Sequence, residues 1–179
     1  NFTDPEVHRM EKQFPQFEGR FSESRITDIY GSRYTFCAAA QLRMGEMLGE
    51  KGRKFTQWAL EDLKARAKHG YDKDTNTFHA MLIDGTLLSP EDRKLDGYVT
   101  VDWLSKRPAT SRYFFAYCLA YKISKDPLMW DMAACIGRGI GLGSLEDGNP
   151  STENSDPVAV FGLLELWRAT NDRKFLSLA

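Results

Sequence analysis

A helix–turn–helix unit running from Arg112 to Gly143 constrains this chain more than any other stretch, because the chain uses it more than once. It reads RYFFAYCLAYK, then ISKDP, then LMWDMAACIGRGIGLG. From Tyr113 to Tyr121 the first part is apolar almost all the way round, and a helix with no solvent face must lie between other helices. Thr110 or Ser111 serves as N-cap, Lys122 suits the negative end of the helix dipole, and Pro127 falls in the first turn of the second helix, where its missing N–H costs nothing. An offset of 46 residues, Asp126 to Asp172, pairs Phe115 with Phe161, Tyr121 with Trp167, Lys122 with Arg168, Ser124 with Thr170, Met129 with Phe175 and Ala133 with Ala179. Asp156-Pro157 opens that second copy. A looser copy comes earlier, with Leu42 to Leu48, a turn from Gly49 to Lys54, then Phe55, Trp58 and Ala59. Helical hairpins repeated at this period form a stacked or circular array.

The rest of the composition sets bounds. The 179 residues suit one domain, 1–179, and 42% hydrophobic content is enough for a core. A formal net charge of −1 gives no electrostatic reason to expect nucleic acid or an anionic membrane as partner. No run of 18 apolar residues is present to span a bilayer. Ala179 falls one turn into what should be a full helix, so the chain is expected to be a portion of a longer array. Cys37, Cys118 and Cys135 lie in apolar helical surroundings, odd in number and without CxxC spacing, and are expected to be buried small hydrophobes rather than disulfide or zinc ligands.

Taken in order, Asn1 to Glu23 reads as a strap, with Phe2, Phe14, Phe17 and Phe21 as anchors among charges and Pro15 ending a short helix. Ser24 to Tyr34 is a polar lead-in carrying Arg25, Asp28, Tyr30, Arg33 and Tyr34 ahead of a helix from Thr35 to Leu48; such lead-ins sit at one end of a hairpin array, where sites form. Phe55 to Lys68 is amphipathic, with Phe55, Trp58, Ala59, Leu63 and Ala67 facing inward and Glu61, Asp62, Lys64, Arg66 and Lys68 outward. The segment 71–107 breaks the repeat. It holds a turn at Asp72 to Asn76, an extended stretch from Phe78 to Ile83, a turn at Asp84-Gly85-Thr86, a helical turn from Ser89-Pro90, and a second extended stretch from Gly97 to Trp103. An insertion of this length decorates one face of a repeat protein, here expected to be the cleft face. Asp72, Asp74 and Asn76 lack the glycine and glutamate of a calcium loop. His79 and Asp84 stand five apart, on opposite faces of an extended segment, which favours His79 as a hydrogen-bonding group over a shared metal. Arg112 in a first helical turn runs against the helix dipole. With Arg33 it offers fixed guanidinium groups, suited to carboxylates, at the start of two inner helices, and Arg107 leads into the helix of Arg112. Gly137, Gly139, Gly141 and Gly143 follow no strand and no G-x-G-x-x-G spacing; they mark a helix end that unwinds into the polar loop Glu146 to Ser155.

The stretches IYGSRYTFCAAAQLRMGEMLG, WALEDLKARAKHGYD, FHAMLIDGT and RPATSRYFFAYCLAYKISKDPLMWDMA together resemble a pectate lyase of the α/α-toroid type, most like polysaccharide lyase family 2, with family 10 a weaker match. The resemblance runs from Arg25 to Ala179. It implies an all-α fold in which repeated helical hairpins form part of an α/α toroid, with a short extended insertion around 71–107. It also implies an acidic polysaccharide, polygalacturonate, cleaved by β-elimination with a divalent metal, Mn²⁺ or Ca²⁺, and a periplasmic or extracellular setting. The chemistry needs the uronate carboxylate neutralised so that the C5 proton can leave, a base to take it, and aromatic faces to hold the sugar. The resemblance implies an arginine in that role, against a guanidinium pKa above about 12. Arg33 and Arg112 are the catalytic candidates, as clamp or base. Tyr30, Tyr34, Tyr98 and Trp103 are candidate platforms, and Asp28, His79, Asp84 and Arg107 are polar groups of the same cleft. Those lyases hold their metal with histidine and carboxylate; this chain has only His8, His69 and His79, no two at ligand spacing, and its metal ligands stay unassigned.

Two rival readings keep the architecture. A glycoside hydrolase would need a pair of carboxylates about 5 to 10 Å apart, for which Asp28, Asp84 and Asp102 are available. A helical-repeat module binding glycan or protein would need no such chemistry.

Overall fold

The computed structural model describes residues 12–17, 32–82, 85–97, 101–147, 149–150 and 153–179; for 32–36 and 149–150 only the backbone is described. Three helical hairpins stand side by side. The first joins α1 (Ser32–Leu48) to α2 (Arg53–Ala65) through a tight turn at Gly49–Gly52. The second joins α4 (Ser111–Ser124) to α5 (Pro127–Gly139), and the third joins α6 (Val158–Thr170) to the short α7 (Lys174–Leu178). Between the first two hairpins lie β1 (Tyr71–Asp72), β2 (Thr77–Phe78), β3 (Ala80–Met81), β4 (Leu87–Leu88), a helical turn α3 (Val101–Leu104) and β5 (Arg107–Pro108). Between the last two, β6 (Gly143–Ser144) and β7 (Asn149–Pro150) form a two-stranded ribbon. The fold is mostly helical, as the sequence predicts. Among the described residues the hairpins form an open row and close no barrel.

The repeat seen in the sequence is a repeat of individual hydrogen bonds. Ser124 Oγ donates to the Ala120 carbonyl and Thr170 Oγ1 to the Leu166 carbonyl, each at 2.8 Å. The next residues, Lys125 and Asn171, both take the left-handed conformation at φ of 56° and 58°. Their N–H groups close the helix on the carbonyls of Tyr121 and Trp167. Asp126 and Asp172 then cap the following helices, accepting from Leu128 N and Lys174 N at 3.0 Å in both copies. In the first hairpin Gly49 supplies the left-handed residue at φ 55°. The sequence places that turn at Gly49 to Lys54, and α2 starts slightly sooner, at Arg53.

α4 is the centre of the row. Tyr113, Phe114, Ala116, Tyr117, Cys118, Leu119 and Ala120 are all buried, with α1 packed on one side, α6 on the other and α5 behind. Tyr117 carries its hydroxyl into this core and donates it to the Leu63 carbonyl of α2 at 2.9 Å. α6 approaches α4 so closely that a Cβ on Gly162 would stand 2.5 Å from the Phe114 ring. Near their C-terminal ends Glu46 of α1 meets Lys122 of α4, and Lys125 reaches the Ala169 carbonyl of α6. Nearer their starts, the Phe115 and Phe161 rings face each other with centroids 6.1 Å apart. α1, α4 and α6 are therefore parallel, and α2, α5 and α7 return. The short turns cap one end of the row, and the described parts of 71–107 and 140–157 lie at the other.

Several local expectations are corrected. α1 begins at Ser32 rather than Thr35. Trp58 is 53% exposed because the buried stripe of α2 runs through Ala59 and Leu63, about 100° away around the helix; it rests edge-on against Phe55. Arg66, expected outside, is 3% exposed and pairs with Asp62 at 2.9 Å. There the helix widens into a π turn, Arg66–Gly70, and the extra residue rotates the following side chains onto another face. Cys37 is exposed, Cys118 is buried and Cys135 half-buried, so only one of the three is a full core residue. The neighbours of Cys37 on its face of α1, Ala40, Met44 and Met47, are exposed too, giving α1 a second apolar stripe opposite its buried one. The end of the stretch expected to be extended, Val101 to Trp103, instead forms α3. The loop after α5 folds back as the β6–β7 ribbon, and positive φ at Gly141 and Gly143 explains the glycine run as turn chemistry. The strap is seen where residues 12–17 are described: Phe14 is fully buried, and the Gln13 carbonyl accepts from Lys94 N at 2.8 Å.

Candidate functional site

Candidate residues from the sequence gather at the end of the row where the parallel helices start. Arg33 and Tyr34 occupy the first turn of α1, and Arg112 the first turn of α4, where its side chain is exposed. Asp28, Tyr30, Asp84 and Tyr98 lie outside the described residues. Of the carboxylates named for a hydrolase, Asp102 is the one among the described residues, exposed on α3.

His79, Trp103 and Arg107 belong to a corner built by the insertion. β1, β2 and β5 form an antiparallel sheet in which Phe78 opposes Arg107. The Phe78 ring stacks on Tyr113 at 4.1 Å, which fastens the sheet to α4. Ala109 N donates to the Asn76 carbonyl at 2.9 Å and fixes the approach to the helix. Arg107 Nη2 donates to the Asp102 carbonyl at 2.5 Å, so the arginine clasps α3, which carries the half-buried Trp103. Among the described residues, the buried Arg107 Nε and Thr110 Oγ1 have no hydrogen-bond partner. Lys106 Nζ stands 3.0 Å from Asp72, and its hydrogen bond, aided by those from Thr75, pulls the Asp72 carboxyl down to about 2. His79 is pushed below the ordinary histidine range by burial first and by the Lys106 charge second, with Asp72 opposing. It is biased toward the neutral imidazole.

Arg112 opens on a different surface. With Arg43, Phe115, Val158 and Phe161 it lines a cleft of about 390 Å³ between α1, α4 and α6. The Arg43 guanidinium lies 5.7 Å from the centre of the Phe115 ring. Beneath it is a charge cluster that sequence reasoning missed. Glu165, 1% exposed, accepts from Arg43 at 2.5 Å, Lys122 at 3.0 Å and Arg168 at 2.5 Å. Glu46 takes Arg43 at 2.8 Å and Lys122 at 2.5 Å. Burial alone would raise the Glu165 pKa, but the hydrogen bonds from Arg43 and Lys122 outweigh it and leave the carboxyl below its ordinary value. Burial works against the Arg43 charge as well, and Glu165 and Glu46 again outweigh it, so Arg43 is held more firmly protonated. The signal available in the sequence was Glu165 itself, a lone acid inside the apolar run LLELW, together with cations at the paired positions Lys122 and Arg168.

The two surfaces differ in chemistry. The corner is a polar seam of alternating charge. The cleft joins an apolar aromatic floor to guanidinium walls, which suits a ring with one apolar face and a carboxylate. A third depression, about 600 Å³ along Glu50, Arg53, Gln57 and Lys64, lies over the tight turn at the opposite end and holds none of the predicted residues. A family model described as periplasmic pectate lyase matches residues 7–179.

Proposed function

This chain belongs to the periplasmic pectate lyase family, and from that membership we propose that it takes part in cleaving polygalacturonate by β-elimination on an α/α toroid of which these hairpins are a part. The family is periplasmic by description and implies an acidic polysaccharide as substrate. The observation that supports the reading within this chain is the cleft in which Arg112, in a first helical turn, walls an aromatic floor. In the proposed reaction the C5–H bond of a uronate breaks, its electron pair forms the C4=C5 double bond, and the bond from C4 to the glycosidic oxygen breaks, with that oxygen taking a proton. Arg112 clamps the carboxylate next to C5, so that charge growing on the carbanion is met by a guanidinium already in place. Arg33, at the matching position of α1, is the partner proposed for proton removal. Trp103 and Arg107 bind the chain further along the same end, and Tyr34 joins them from α1.

A divalent cation, Mn²⁺ or Ca²⁺, is part of the proposal and would supply neutralisation of the uronate carboxylate. Among the described residues no three His, Cys, Asp or Glu side chains converge on one point. Its ligands are not assigned to this stretch, and the proposed catalytic roles belong to the chain's own arginines.

The test is the rise in ultraviolet absorbance from the unsaturated product when the purified protein meets polygalacturonate, with and without added metal. Arg112→Ala should lower kcat/KM by about a hundredfold or more while leaving the melting temperature within a few degrees. Hydrolysis to saturated sugars, or full activity in Arg112→Ala, would overturn the assignment.

A further inference from the structure

We infer that Arg43 is a second cation of the Arg112 cleft, locked in place by the buried Glu165, and that it selects a carboxylate-bearing sugar ring over the same ring in neutral form. The ligand class follows from the uronate substrate proposed for the cleft. The residue assignment follows from the geometry of three helices.

Arg43 rises from α1, crosses α4 above the Phe115 ring at 5.7 Å, and ends on Glu165 of α6 at 2.5 Å. A long side chain spanning solvent would lose too much rotamer freedom to hold such a pose. Here the acceptor is 1% exposed and is gripped by Lys122 and Arg168 as well, so the pose is set by a carboxylate that cannot turn to water. The side chain of Arg43 is itself 37% exposed. Among the described residues its bonds to Glu165 and Glu46 engage Nη1 and one N–H of Nη2, leaving Nε–H and a second Nη2–H for a ligand.

The charge balance points the same way. Among the described residues Arg43, Lys122 and Arg168 pair with Glu46 and Glu165, three cations with two carboxylates, and Arg112 stands at the wall of the same cleft. Phe115 and Phe161 present their rings to the same space. A uronate ring puts an apolar face on that floor and its carboxylate on the guanidinium; the methyl ester has the same ring without the charge. The cleft volume of about 390 Å³ is in the range of small-ligand sites. Glu165 touches no ligand in this arrangement and acts as a positioning residue.

The experiment uses galacturonic acid, which has no glycosidic bond to cleave, and its methyl ester, titrated into the protein by NMR. The wild type should prefer the acid by about tenfold, the size of one charge-assisted hydrogen bond. Arg43→Gln should bring the preference close to unity with ester binding kept, Arg43→Lys should restore part of it, and Glu165→Gln should weaken the acid alone. If Arg43→Gln, folded by circular dichroism, keeps the full preference while Arg112→Gln loses it, Arg43 is not the selecting residue and the lyase proposal stands. If the wild type binds neither acid nor polygalacturonate, the lyase proposal fails first.

Discussion

At one end of the row the joints after α4 and α6 are copies down to single hydrogen bonds, while at the other end no two connections between described elements are alike. At the turn end each joint takes five residues, Ser124 to Leu128 and Thr170 to Lys174, with a hydroxyl bonded back to its own helix, one left-handed residue and an aspartate cap. The end where α1, α4 and α6 begin carries two small sheets, a ribbon, a helical turn and the predicted arginines. A tight joint is stabilised by neighbours in sequence and can be copied intact with its helices. The insertion depends on partners dozens of residues away, such as Asp72 with Lys106, and each connection has its own solution. Repetition at one end builds the frame, and irregularity at the other is free to carry chemistry.

The largest effect tests whether the frame is as close-packed as its parallel helices require. Gly162 lies 46 residues after Ala116, so the two copies hold Gly and Ala at one position, and in the α6 copy the Phe114 ring of α4 lies against it. Gly162→Val would push its side chain into Phe114 and should destabilise the protein by about 3 kcal/mol. Ala116, its counterpart in α4, is fully buried with its Cβ in place. The midpoint of denaturant unfolding reads the difference; a loss below about 1 kcal/mol would mean that α4 and α6 can part at little cost.

The next effect compares the copies directly. Asp126→Ala and Asp172→Ala each remove a side-chain cap from the joint and should cost about 1 kcal/mol. Asp126 also meets Lys64 at 2.7 Å, and since that pair is substantially exposed it should add only a few tenths. Equal costs to within that margin, measured by thermal unfolding, would show that the joints are equivalent in energy as well as geometry. A cost of Asp172→Ala near zero would show that the third hairpin does not share the cooperative unit.

These copies are also what made the fold legible. The 46-residue offset, the caps and the all-round apolar α4 are local patterns, and a sequence states local patterns openly. Trp58 went to the wrong face because the buried stripe of α2 runs through Ala59 and Leu63 instead, and Arg66, three residues after Leu63, continues that stripe and is held there by Asp62. At the candidate site Arg112 was visible as a cation placed against a helix dipole. Arg43 was not, because its importance comes from Glu165, 122 residues away in the chain. Phe115 and Phe161 were found as a repeat pair, a pattern that does not say that Phe161 is 56% exposed or that both line the cleft. Periodicity reports which residues are equivalent; it does not report which equivalents remain uncovered.

The smallest expected effect separates the two ends by how they respond to acid. The turn of residues 72–77 is organised by Asp72, whose carboxylate accepts from Asp74 N at 3.1 Å and Thr75 N at 3.3 Å and pairs with Lys106. Its carboxyl is held at about 2, below the ordinary aspartate value of 3.8, with the Lys106 hydrogen bond as the leading cause. A depressed carboxyl contributes its stabilisation above its unfolded pKa and loses it as pH falls toward the folded one. The turn should therefore loosen between about pH 4 and pH 2, which hydrogen exchange at the Asp74 and Thr75 amides would read. Asp72→Asn keeps an acceptor for those amides but surrenders Lys106, so its exchange should be faster at neutral pH and flat across the same window. Asp172, also held below the ordinary range, draws that shift first from the backbone N–H of Lys174. Its joint should weaken with acid even in a variant such as Lys174→Met, which removes the side-chain charge and keeps the backbone donor. If the 72–77 turn behaved the same way in Lys106→Met, with its acid response intact, backbone donors would account for both ends, and the distinction between a frame held by caps and a functional end held by long-range charge would be lost.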